Sequence, residues 1–143
     1  AADLSKSGLE DILSGNGFDK SKKTFFSCLG LFYYMTADEI SKLFSDISHF
    51  AADGSSVVFD FADNHAFSSS IPRVAEMVKA ARMSAEPMKS CFGFEELEIM
   101  LQKSNFLIYE FLNDSDIQER YFKENKDIKA FEHINLALAV LKH

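Results

Sequence analysis

The 143-residue chain has no tryptophan, two prolines, six glycines and two cysteines. So little proline and glycine, without a repeat, excludes collagen-like and low-complexity chains. Cys28 and Cys91 form no C-x-x-C motif and are too few for a disulfide framework, so reduced thiols in apolar surroundings are expected. His49, His65, His133 and His143 are scattered, none at ligand spacing from another histidine or a cysteine, and no metal site is expected. No apolar run approaches the ~20 residues that span a bilayer, and no basic stretch precedes an apolar signal core. A membrane is therefore not an expected partner, and the cytoplasm is the expected compartment. Positive charge is also scarce: fifteen Lys and Arg against twenty-two Asp and Glu give a net charge of -7. With a sequence pI near 5.0, the field opposes phosphate backbones, and nucleic acid is not an expected partner.

What the chain does have is apolar mass, with fifteen phenylalanines and 47% hydrophobic residues. A single domain of this size buries roughly two-thirds of its unfolded surface and needs no metal or disulfide to hold its core. Ser7 and Glu10 form a capping box ahead of a short helix that Gly15 and Gly17 stop. Thr24 to Tyr34 is almost wholly apolar and reads as a buried strand. Thr36 and Glu39 make a second capping box, followed by Ile40, Leu43, Phe44 and Ile47 at the spacing of one helical face, with Gly54 closing the helix. Ser56 to Ala62 reads as a central strand, completing a βαβ unit. Pro72 opens a helix carrying Val74, Met77, Val78 and Ala81, and the segment Ala85 to Lys89 breaks it. Phe94 to Ser104 is amphipathic, Asn105 ends it, and Phe106 to Leu112 is a third strand. Ser115 and Gln118 cap a further helix. The tail from His133 to Leu141 fits strand or helix, its period-two leucines and valine favouring strand.

Strands alternating with helices predict an α/β fold, an open sheet with helices on both faces. Such sheets take ligands beyond the carboxyl ends of their strands. That rule selects Tyr33, Tyr34, Met35 and Thr36 after the first strand, and Asp60 to His65 after the second.

The phrase from Lys23 to Thr36, then a capped helix, then Gly54-Ser-Ser-Val-Val-Phe-Asp-Phe61 resembles the leucine carboxyl methyltransferase-like family. Asp3-Leu4, Gly17-Phe-Asp19 and Glu86-Pro87 are further echoes in the same order. The family contains S-adenosylmethionine-dependent O-methyltransferases, among them bacterial members labelled as polyketide-synthesis enzymes. The resemblance implies a Rossmann-like class I methyltransferase sheet, of which this chain corresponds to the carboxyl-terminal half. In the family, the glycine-rich cofactor loop lies in the other half. Here Gly15-Asn-Gly17 follows a helix, and Lys20 stands where a third glycine would be. The chain alone is therefore expected to be inactive and to bind little S-adenosylmethionine. A half sheet exposes an edge, so a homodimer paired through that edge is expected.

The resemblance also assigns residues. Asp3, with Leu4, would lie beside the cofactor's adenine, unless it is simply a frayed terminal aspartate. Leu29 stands where many members carry a glutamate near the methionine part of the cofactor. Gly30 follows it, a glycine in a strand marking a close approach of backbone or ligand. Tyr34 matches the family's Tyr-Leu-Thr tyrosine and would orient a small-molecule acceptor or the cofactor, or else only bury its ring; Tyr33 reads as packing. His65 would be a general base for a hydroxyl acceptor, or a solvated loop histidine. Arg82, Arg120 and Glu86 would contact an acidic substrate or one another, with surface pairing the default for each. A carboxylate acceptor is ionised at pH 7 and needs no base, and the absence of an evident base leans toward it. The competing reading is a non-catalytic interaction or dimerisation module built on half of the fold.

Overall fold

The computed structural model describes residues 8–84, 86–125 and 127–143. Asp3, Leu4 and the Ser7 cap lie outside them. In chain order the elements are α1 (Leu9–Ser14), β1 (Phe25–Cys28), α2 (Ala37–Phe50), β2 (Ser56–Ala62), α3 (Pro72–Met83), α4 (Phe94–Gln102), β3 (Phe106–Leu112), α5 (Asp114–Tyr121) and β4 (Ile134–Leu141). The strands form one mixed sheet in the order β1-β2-β4-β3. β1 and β2 run parallel, as the βαβ reading requires. The tail is a strand, and it inserts antiparallel to both β2 and β3.

α2 begins as its sequence predicts. The Thr36 hydroxyl accepts the Glu39 amide at 3.3 Å, and Glu39 accepts the Thr36 amide at 2.7 Å. Its face of Ile40, Leu43, Phe44 and Ile47 is buried on the sheet. The core is aromatic: Phe44 meets Phe59 of β2 and Phe106 of β3 edge-on, with ring centroids 5.4 and 5.2 Å apart. Val57, Phe59 and Phe61 point into this core, as do Ala137, Ala139 and Leu141. The alternate residues Val58, Leu136, Leu138 and Val140 face the other side and are only half-buried. α5 covers part of that side, its Arg120 pairing with Glu110 at 2.6 Å.

Several boundaries differ from the sequence reading. The apolar run after Thr24 is not one buried strand. β1 stops at Cys28, lies at the sheet edge with Phe25 64% exposed, and gives way to a turn and a 3-10 helix, Phe32–Tyr34. The reason is Gly30, whose φ of +68° turns the chain out of the sheet. α2 ends at Phe50 with Ala51 as its cap, while Gly54, at φ +78°, makes the later turn into β2. Asn113 and Asp116, rather than Ser115 and Gln118, cap α5, each side chain accepting the other's amide.

Candidate functional site at the carboxyl ends of β1 and β2

β1 and β2 run parallel, so their carboxyl ends open on one edge of the sheet, and the chain turns there twice. After β1, Leu29 and Gly30 swing outward into the 3-10 helix. A Cβ placed on Gly30 meets nothing within 4 Å, so the turn is open above the glycine. Leu29 is 57% exposed beside it.

Asp60, near the end of β2, fixes this turn. Its Oδ1 accepts the Gly30 amide at 2.6 Å and its Oδ2 accepts the Tyr33 hydroxyl at 2.8 Å. Burial raises the Tyr33 phenol well above the usual tyrosine range, and the neighbouring Asp60 charge adds to that. Tyr33 is thus the anchored member of the pair and does more than pack. Tyr34 is 42% exposed. It borders two hollows. One, of about 410 Å³, is walled by Gly30, Tyr33, Met77, Ala80, Ala81, Ser84 and Met88. The other, of about 270 Å³, is walled by Glu86, Pro87 and Lys89. α3 therefore serves as the far wall of an apolar slot whose near wall is the Gly30 turn. A larger hollow of about 660 Å³ lies beside α5, among Asp114, Gln118, Glu119, Lys129 and Glu132. Its charged rim makes it the weaker candidate for holding an apolar ligand.

The second turn follows β2. Asp63 accepts the His65 amide at 2.8 Å through Oδ1 and faces His133 Nδ1 at 3.0 Å through Oδ2. His65 is exposed, its ring centroid 6.4 Å from that of His133. The sequence reading singled out His65 and passed over His133, which is far along the chain and comes to Asp63 only because β4 returns beside β2. The one local signal is backbone strain, invisible in sequence: His133 has φ +63°.

Cys28 and Cys91 are free and half-buried, and burial pushes both thiols up. Arg120 pairs with Glu110, as its surface reading supposes. Among the described residues no group of three or more His, Cys, Asp or Glu could hold a metal ion. No described helix is long and apolar enough to cross a membrane.

The model of the leucine carboxyl methyltransferase family matches residues 1–48. YktD of Bacillus subtilis (strain 168), named for S-adenosyl-L-methionine-dependent methyl transfer, is 45% identical over 98% of this chain. The chain resembles the leucine carboxyl methyltransferases. It spans 47% of the length of YktD. Among solved structures, a DUF574 family protein from Streptomyces avermitilis MA-4680 superposes with a TM-score of 0.71 at 12% identity, over 98% of this chain and 53% of that one. An S-adenosylmethionine-dependent methyltransferase from Clostridium acetobutylicum ATCC 824 gives 0.53 at 12% identity, over 99% of this chain and 73% of that one. These likenesses establish the fold class: a Rossmann-like α/β sheet.

Proposed function

We propose that this chain forms the acceptor-side half of an S-adenosylmethionine-dependent O-methyltransferase acting on a carboxylate or hydroxyl oxygen of a small molecule in the cytoplasm. The observation that carries the reading is the Gly30 turn, pinned by Asp60 and open above, with an apolar slot beside it. The 45% identity to YktD supports the choice of methyl donor.

The residues present fit one wall of a donor site. Gly30, with open space where a side chain would stand, and the exposed Leu29 would meet the donor's methionine end. Among the described residues no glycine-rich loop follows a strand, so the remaining walls must come from elsewhere. When bound, S-adenosylmethionine supplies a methyl group already activated on a sulfonium. The protein's task is then to hold an oxygen in line and exclude water. Met77, Ala80 and Met88 give the slot an apolar wall, and Tyr34, which also lines it, would offer its hydroxyl to the acceptor. The decisive experiment follows label from S-adenosylmethionine into a panel of small carboxylic acids, phenols and alcohols. Esters or ethers are expected, and label found only on nitrogen or carbon overturns the assignment. Calorimetry on the 143-residue chain should give no binding tighter than about millimolar; micromolar binding refutes the half-site reading.

A second reading, a docking or dimerisation module, draws on the free edge of β1. There Phe25 is 64% exposed, and among the described residues no strand pairs with its outer side.

A further inference from the structure

Resting on the methyltransferase reading, we infer that His133, oriented by Asp63, is the general base of the site, and that the acceptor it serves is a hydroxyl rather than a carboxylate.

Three observations carry this. Asp63 and His133 are joined twice, by the Asp63 amide donating to the His133 carbonyl at 2.9 Å and by Oδ2 facing Nδ1 at 3.0 Å. A carboxylate on Nδ1 places the proton of the neutral ring there and leaves the Nε2 lone pair unused. Among the described residues Nε2 has no hydrogen-bond partner, and no buried side-chain nitrogen or oxygen lacks one, so Nε2 opens to solvent.

Second, His133 is held in a left-handed conformation, φ +63°, that a side chain with a Cβ adopts at a cost of roughly 1 kcal/mol or more. The preceding residues over-determine it. Arg73 of α3 donates to the Ala130 carbonyl and to Glu132, and its guanidinium sits 4.7 Å from the Phe131 ring centre. That contact holds the Glu132 carboxyl below its ordinary range. The strain is therefore maintained by three neighbouring contacts, as at sites that aim a side chain.

Third, His133 stands on the same edge of the sheet as the candidate site. Ile134 pairs with Ala62, so His133 lies at the carboxyl end of β2, the edge of the sheet that also carries Gly30 and Tyr34. The titratable groups around it are Asp63 and His65 from the loop after β2, Glu132 on its own segment, and Cys91, which feels the Asp63 charge. Glu132 is engaged by Arg73 and His65 is an imidazole without negative charge, so Asp63 is the carboxylate bonded to the ring.

The chemistry balances. His133 Nε2 takes the proton of the acceptor hydroxyl. The oxygen's freed electron pair forms the bond to the methyl carbon. That carbon's bond to the sulfonium breaks with its pair passing to sulfur, leaving a neutral thioether. Asp63 stabilises the resulting imidazolium. A carboxylate acceptor would give this base no proton to take.

Nitrogen-15 NMR of the 143-residue chain reads the tautomer directly. The neutral His133 ring should carry its proton on Nδ1, and Asp63→Ala should release that tautomer. A proton on Nε2 in the wild type, or a tautomer unmoved by Asp63→Ala, overturns the inference. His133→Asn keeps a residue that tolerates the left-handed conformation. In the full-length enzyme it should lose about a hundredfold in kcat toward hydroxyl acceptors at neutral pH, regain rate as pH rises and the hydroxyl ionises, and leave KM nearly unchanged. Equal loss toward carboxylic acids, or no loss toward hydroxyls, sinks the proposal. An enzyme that methylates neither class defeats the parent reading instead, and the NMR result then judges the dyad by itself.

Discussion

The Tyr33 hydroxyl donates to Asp60 Oδ2 at 2.8 Å while the other oxygen of the same carboxylate accepts the Gly30 amide at 2.6 Å. One side chain on β2 thereby sets both ends of the turn that leaves β1. Asp60→Asn cannot accept at both positions, because its amide nitrogen is a donor. A loss of about 1–2 kcal/mol in urea unfolding is expected, together with faster hydrogen exchange at the Gly30 amide. Unchanged exchange there would show that the turn holds without Asp60.

The same pair gives an alkaline signature. The folded phenol titrates above its unfolded value of 10.0, mainly through burial. A group whose folded pKa is raised contributes stability below the unfolded value and loses it as pH climbs through the folded one. The wild-type chain should therefore become steeply less stable above pH ~10, and Tyr33→Phe should flatten that limb. Parallel curves for the two proteins would assign the phenol no part in it.

What could be read from the sequence was whatever is local. The Thr36–Glu39 capping box, Pro72 at a helix start and the apolar period of α2 and β4 are set by neighbours within a turn, and they stand as the sequence predicts. The extent of β1 was not legible, because what ends it is a left-handed glycine held by a carboxylate thirty residues away. Asn113 outcompetes Ser115 as a cap because its side chain reaches the Asp116 amide at 3.0 Å. In the candidate site, Tyr34 and Asp60 could be found from the strand-end rule, and Gly30 from being a glycine inside an apolar run. His133 could not, since its meeting with Asp63 depends on β4 inserting between β2 and β3.

Gly30 separates conformation from space. Gly30→Ala meets no atom within 4 Å but must keep φ at +68°, so it should cost about 1 kcal/mol without disturbing the core. Gly30→Val fills the opening beside Leu29. On the proposed methyltransferase reading, it should raise the KM for S-adenosylmethionine more than Gly30→Ala does, measured against melting temperature for each. Equal effects of the two variants on KM would mean that no ligand passes over the glycine.

On the acid side, hydrogen bonds from the Thr36 amide and hydroxyl hold the Glu39 carboxyl below its ordinary value of 4.5. A depressed carboxyl stabilises the fold above its unfolded pKa, and that contribution disappears as pH falls through the folded value. Glu39→Gln should therefore shed part of the acid sensitivity below pH 4.5 and draw level with the wild type once pH has fallen below the folded value, where the wild-type carboxyl is neutral too. Thermal melts across that range decide it. Thr36→Ala should lower stability at neutral pH by about 1 kcal/mol.

The outer edge of β1 is the last surface with a consequence. Edge strands that stay unpaired usually carry charge, a bulge or proline. β1 carries Phe25 at 64% exposure and has no proline or charged residue in its four positions. Its outward amides and carbonyls are a template for another strand, and a second copy of the chain supplies one at high concentration. Sedimentation of the isolated chain should therefore show a concentration-dependent dimer. Phe25→Lys places a charge on the edge without removing a buried contact, and it should weaken the dimer at least tenfold, about 1.4 kcal/mol. A strictly monomeric profile for the wild type would overturn the dimer, and a dimer indifferent to the lysine would move the association to another face, such as the half-buried row of Val58, Leu138 and Val140.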